Sequence, residues 1–203
     1  MTIDAPVLEG ARVRLEPLDQ GHAADLAEAA ADRSSFRFTP VPEPAGVRAY
    51  VDGHLRRAAA GQLAPYAQVL RATGRAVGVT SYCTPRWWPD GRGLHGVEIG
   101  WTWLGAAAQG TGVNAEAKLL LFRHAFGTLG VRRVDLMTDA RNTRSRAAIE
   151  KLGARLEGVL RSYALSWVPG EEGTLRDSAM YAVTAAEWPA CEALLVERLA
   201  RYQ

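Results

Sequence analysis

At 203 residues, with 48% apolar and 23% charged side chains, the chain has the size and composition of one medium-sized packed domain rather than of a disordered or membrane-embedded protein. A net charge of +2 argues against a dedicated nucleic-acid binder. Lys118 and Lys151 are the only lysines among 24 basic residues, an arginine excess that genome composition explains as simply as anion recognition does. Cys83 and Cys191 lie far apart with no metal-ligand spacing, so two buried thiols are expected instead of a disulfide or a zinc site. The N-terminus lacks a basic segment followed by an apolar one, and no 18-residue apolar run occurs, so a cytoplasmic protein without membrane attachment is expected.

In chain order, residues 11–18 alternate apolar and polar residues as a half-buried strand does, and the Ala-rich stretch after them favours a helix. Residues 34–44 carry three prolines and form a loop, and residues 45–61 regain helical spacing until Gly61. Three β-favouring runs follow at 64–72, 75–84 and 96–104, separated by turn sequences and expected to pair antiparallel. Residues 113–126 read as a helix packing by a stripe of Ala115, Leu119, Phe122 and Phe126. A strand at 131–139, a helix at 142–152, strands at 155–163 and 176–184, and a terminal helix complete the pattern. Thr184-x-x-Glu187 resembles a capping box for that helix, and Pro189 is expected to delay its regular part.

Gly110-x-Gly112-x-x-Ala115 is spaced like a dinucleotide-binding fingerprint, with Asp135 20 residues farther on. Five residues separate the expected strand end from Gly110, however, and the preceding strands look antiparallel, so the Rossmann match is partial. A strand, a glycine turn and a helix whose first amides face a pyrophosphate meet a simpler requirement, which residues 104–118 satisfy.

Three segments, "EIGWTWLGAAAQGTGVNAEA", "DARNTRSRAAIEKLGA" and "RDSAMYAV" followed by "EWP", together resemble the GNAT acyltransferases and, within them, the RimJ/RimL-like branch that acetylates protein N-termini and small amines. The resemblance covers residues 96–189. It implies an α/β (α+β) GNAT fold over residues 1–203, a mixed and mostly antiparallel sheet flanked by helices, with a central parallel strand pair splayed to receive acetyl-CoA or another acyl-CoA as co-substrate. Pantetheine would pair with the backbone of Trp101, Thr102, Trp103 and Leu104, and the pyrophosphate with amides of Gln109, Gly110, Thr111, Gly112 and Val113. The family's frequent Gln or Arg three residues before the first glycine is Ala107 here.

Acyl transfer to an amine needs a proton acceptor, a polarised carbonyl and a proton for the leaving thiolate. Glu98 matches the family's frequent base, or is a structural carboxylate at a strand end. A backbone amide near Gly100 would polarise the carbonyl, and that glycine marks either a bulge or a close approach. The family's frequent acidic tyrosine is Ile149 here, leaving Ser145 as the nearest hydroxyl. Asn142 either contacts the cofactor or caps the helix it precedes. No metal is implied. The acceptor, a small-molecule amine or a protein N-terminus, would be lined by Phe36 and Phe38, by Trp87 and Trp88 beside Arg86, by His95, and by Asp177. Neither nucleic acid nor membrane is an expected partner, while a homodimer fits a family whose small enzymes are often dimers. A silent acyl-CoA-binding module, and an enzyme drawing on an acyl carrier protein, fit the same residues.

Overall fold

A computed structural model describes residues 1–202. Eight strands form one sheet in the order β1-β2-β3-β4-β5-β6-β8-β7, where β1 is Leu8–Glu9, β2 Val13–Pro17, β3 Leu63–Leu70, β4 Ala76–Trp87, β5 Leu94–Leu104, β6 Arg133–Asp139, β7 Arg155–Leu165 and β8 Leu175–Thr184. Every neighbouring pair is antiparallel except β5 and β6. The expected antiparallel trio is β3-β4-β5, and the two-residue β1 had no pattern long enough to read.

Alternation along the strands sends apolar side chains to both faces. Tyr66, Tyr82, Val97 and Ile99 meet α3 (Val113–Arg123) and α5 (Trp188–Ala200). Ala67, Val69, Val79 and Trp103 meet α1 (Ala23–Ala29) and α2 (Val47–Ala59). The remaining helix, α4 (Thr143–Glu150), follows β6.

Two expectations about helices are corrected. The helix α3 is not packed by one stripe: Glu116, Lys118 and Leu121 are buried along with Ala115, Leu119 and Phe122. It also widens into a π turn over His124–Thr128, just after the carbonyl of Leu121 accepts the Tyr82 hydroxyl. The terminal helix starts at Trp188, before Pro189, because a proline in the first turn gives up no helical hydrogen bond. Glu187 is its N-cap residue, and the Glu187 carboxylate accepts both the amide and the hydroxyl of Thr184, at 2.9 and 2.7 Å.

Among the described residues, no helix is long and apolar enough to cross a membrane, and no group of three or more His, Cys, Asp or Glu is placed to hold a metal ion.

Candidate active site

The parallel pair β5–β6 is short. Its register covers only Gly96–Arg133, Val97–Val134 and Glu98–Asp135, after which β5 runs on to Leu104 and β6 to Asp139 without pairing. Two strands that stop exchanging hydrogen bonds leave unpaired main-chain groups facing a gap, and those groups need partners. The gap opens into a cavity of about 1250 Å³.

Two bulges shape its floor. On β5 the register passes from Ser81–Gly100 to Val79–Trp103, so Trp101 and Thr102 lie opposite Thr80, and Trp101 takes φ +53°. Its neighbour Gly100 stands beside the bulge and also in close quarters, since a Cβ there would come to 3.0 Å from both Cys83 Sγ and Glu98 Oε1. On β4 the register slips between Cys83 and Arg86, with Thr84 at φ +50°. The β5 bulge is tied down by two buried side chains. Gln68 Nε2 donates to the carbonyls of Val79 and Trp103, both at 3.1 Å. Lys118 Nζ donates to the Thr80 and Thr102 hydroxyls at 3.0 and 2.6 Å.

The opposite end of the cavity is main chain. Gly110 and Gly112 have φ +78° and +87°, and Gly112 caps α3 in a left-handed conformation that a side chain resists. A Cβ on Gly112 would also come within 3.1 Å of the Tyr202 ring, whereas Gly110 faces open space. The amides of Gly110, Thr111, Gly112 and Val113 donate to no protein acceptor among the described residues, so they and the positive end of α3 suit a diphosphate. The Gln109 amide does not join them, because it donates to the Ala106 carbonyl at 3.1 Å. Its side chain instead donates to Leu104 O at 2.7 Å and Ser35 Oγ at 2.9 Å, and accepts from Arg144 at 3.1 Å. Ala107 is exposed and brings no polar group. Thr111 donates its hydroxyl to Ala108 O at 2.7 Å, and Val113 is core; neither side chain lines the cavity.

Glu98 lines the cavity where the strands part. Burial raises its pKa above the usual carboxylate range, against a 3.0 Å hydrogen bond from Thr84 and the nearby Arg86 and Arg176; Asp135 reinforces the rise. Its register partner Cys83 is a buried thiol whose pKa burial pushes well up, with the Glu98 charge adding to it. Cys191 is likewise free and buried. Burial pushes the Lys118 ammonium down to about 7.

From the far wall come Asn142 and Ser145. Asn142 is the N-cap of α4, its side-chain oxygen accepting the Ser145 amide at 3.1 Å, and it faces the cavity at the same time. Ile149 lines the cavity with hydrocarbon.

Of the side chains expected around the acceptor, Phe36, Phe38 and Trp87 line this cavity. Trp88, His95 and Asp177 do not. Trp88 folds back on the β4–β5 turn, where Arg92 sits 3.9 Å above its ring and the His95 ring lies 5.0 Å away. The exposed Asp177 spends its carboxylate on the Ser162 amide at 2.9 Å, beside a distortion in β7. Arg86 is held by Asp135 at 2.6 Å. Arg57, Lys118, Trp167 and Arg176 line the cavity without having been singled out for it. Pro85, a residue that cannot donate to a strand ladder, is the one local hint that β4 is irregular there.

The Acetyltransferase (GNAT) domain family matches residues 12–155. A solved structure from T. thermophilus, assigned to the acetyltransferases, is 34% identical over 98% of this chain and 100% of its own, with a TM-score of 0.81. A GCN5-related N-acetyltransferase from Brucella melitensis is 27% identical over 98% of this chain and 87% of its own, also at 0.81. Mycobacterium smegmatis RimJ, solved in complex with CoA-disulfide, has the same fold at 22% identity over 95% of this chain and 94% of its own, with a TM-score of 0.76. No curated protein matches the chain in sequence.

Proposed function

The chain belongs to the GNAT acetyltransferases, and from that premise we propose that it transfers an acetyl group from acetyl-CoA to a primary amine by direct attack within a ternary complex. The observation that carries this reading is a single cavity that joins the unpaired β5 edge and the free amides of Gly110–Val113 to the Glu98 carboxyl. A thioester arm can lie along the first, its diphosphate can reach the second, and the third faces the reacting end.

In this reading the backbone of Trp101–Leu104 holds pantetheine, and Asn142 and Ser145 close over it from α4. The Leu104 carbonyl, which already accepts from Gln109 at 2.7 Å, has a second lone pair for the pantetheine amide. The amine nitrogen forms a bond to the thioester carbon, the carbon–sulfur bond breaks, and the leaving thiolate takes a proton. Glu98 accepts the proton from the amine, its carboxylate made more basic by burial. An amide at the Trp101 bulge polarises the carbonyl, and the Ser145 hydroxyl hydrogen-bonds the sulfur. The chain works as one domain over residues 1–203, in the cytoplasm, on a small amine or a protein N-terminus, in the manner of the RimJ/RimL-like branch.

The test is to mix the protein with acetyl-CoA and a broad amine panel and to follow free CoA thiol and acetylated product by mass. Acetyl-CoA binding with amine-dependent thiol release is expected. Absence of both would sink the proposal, and tight CoA binding without turnover of any amine would favour a silent binding module.

A further inference from the structure

Arg176 is the cavity arginine that has no partner. Arg141, near enough to act on the Arg176 charge, is clamped by Asp139 and Glu171, both at 2.8 Å, and Arg86 is held by Asp135 at 2.6 Å. Arg133 is shared between Asp135 and Glu157. Of the other cavity arginines, Arg57 lies 4.5 Å over the Trp101 ring, Arg144 donates to Gln109 and Arg198 to the Lys151 carbonyl. Among the described residues Arg176 makes no ion pair within 4.0 Å, and its buried Nε has no hydrogen-bond partner. Asp139 and Glu98 are near enough to act on its charge, but Asp139 is already bonded by Arg141 through both oxygens.

A guanidinium whose Nε is shut off from water without an acceptor is costly, and native proteins tolerate such a group where a ligand completes it. Guanidinium geometry fits a carboxylate through two parallel hydrogen bonds. Across the same cavity Glu98 presents the opposite charge. The pair is complementary to a zwitterion. Phe38, Trp101 and Trp167 supply apolar walls around them, with the two tryptophan ring centroids 6.2 Å apart.

Building on the acetyltransferase reading above, we infer that the acceptor is a free amino acid with an apolar side chain, its amino group presented to Glu98 and its carboxylate seated on Arg176.

The experiment compares phenylalanine, phenylalaninamide and phenethylamine as acceptors at saturating acetyl-CoA, in the wild type and in Arg176→Gln and Arg176→Lys. The wild type is expected to use phenylalanine with kcat/KM about tenfold or more above the other two. In Arg176→Gln the preference for phenylalanine over phenylalaninamide and phenethylamine disappears, mainly through KM; Arg176→Lys restores part of it. Equal use of the three by the wild type, or an advantage that survives Arg176→Gln, would overturn the inference and leave the acetyltransferase reading intact. If acetyl-CoA binds and none of the three is turned over, equilibrium binding of the same compounds, read by tryptophan fluorescence, decides by the same ratios. Failure to bind acetyl-CoA at all would instead remove the parent reading.

Discussion

Main chain builds one end of the cavity and side chains build the other. At the α3 end the free amides of Gly110–Val113 and the unpaired β5 edge do the work, and the side chains of Ala107, Thr111 and Val113 take no part. At the other end Glu98, Arg176 and the aromatic walls from Phe38, Trp101 and Trp167 face inward from four separate stretches of chain. Main-chain recognition constrains backbone conformation and little else, so it tolerates many sequences and serves a ligand common to a whole family. Side-chain recognition is free to vary from one protein to the next, and this is where a choice of acceptor can be written.

Three substitutions test the division. The largest effect is expected for Glu98→Gln, which keeps shape and removes basicity. Its kcat should fall by roughly 10²–10⁴ with acetyl-CoA affinity unchanged. The wild-type rate should rise as pH climbs through the raised Glu98 pKa and the carboxyl ionises, and the variant should lack that limb. An identical pH–rate profile in both would remove Glu98 as base.

Next is Lys118→Met, since Lys118 props the bulge on which both ends depend. Its folded pKa of about 7 lies below the ordinary 10.5, so between those values the unfolded chain binds more protons and stability must rise with pH. Wild-type stability relative to the variant should therefore climb across that window, by at most about 1.4 kcal/mol per pH unit, and denaturant unfolding at several pH values would measure it. A flat difference would mean that Lys118 titrates normally. The smallest effect is expected for Gly112→Val at the main-chain end. Forcing a β-branched residue to φ +87° against Tyr202 should cost about 1–2 kcal/mol, weakening acetyl-CoA roughly tenfold in a direct titration while kcat at saturation holds. A greater loss of kcat than of affinity would blur the division.

The same division governs what the amino-acid sequence discloses. A left-handed glycine and a helix cap each leave a local mark, which is why Gly110, Gly112 and Asn142 were legible, whereas the parting of β5 from β6 was expected only through the family resemblance. Arg176, Thr84 and Trp167 were not legible. Their positions depend on bulges in β4, β5 and β7, and each extra residue reverses the alternation by which a strand tells its two faces apart. Trp88 and His95 failed for the related reason that a hairpin tip folds on itself, and closeness in sequence to Trp87 and Glu98 says nothing of direction. The terminal helix shows a smaller effect: Pro189 is compatible with the first turn, so a residue read as a delay is part of the start.

Glu116 bears on how such a molecule is assembled. Its buried carboxylate accepts the amides of Ala11, Arg12 and Val13 at 3.1, 2.7 and 2.8 Å, across 105, 104 and 103 positions of sequence. The first turn of α3 is therefore completed by the bend that leads into β2, which leaves the ribosome about a hundred residues earlier. Until that strand is in place, the helix carries a carboxylate bound for the interior with nothing to receive it, and contacts of such long range form slowly. The three amides that open β2 thus wait until the helix that heads the cleft has been synthesised, and the two lock together late.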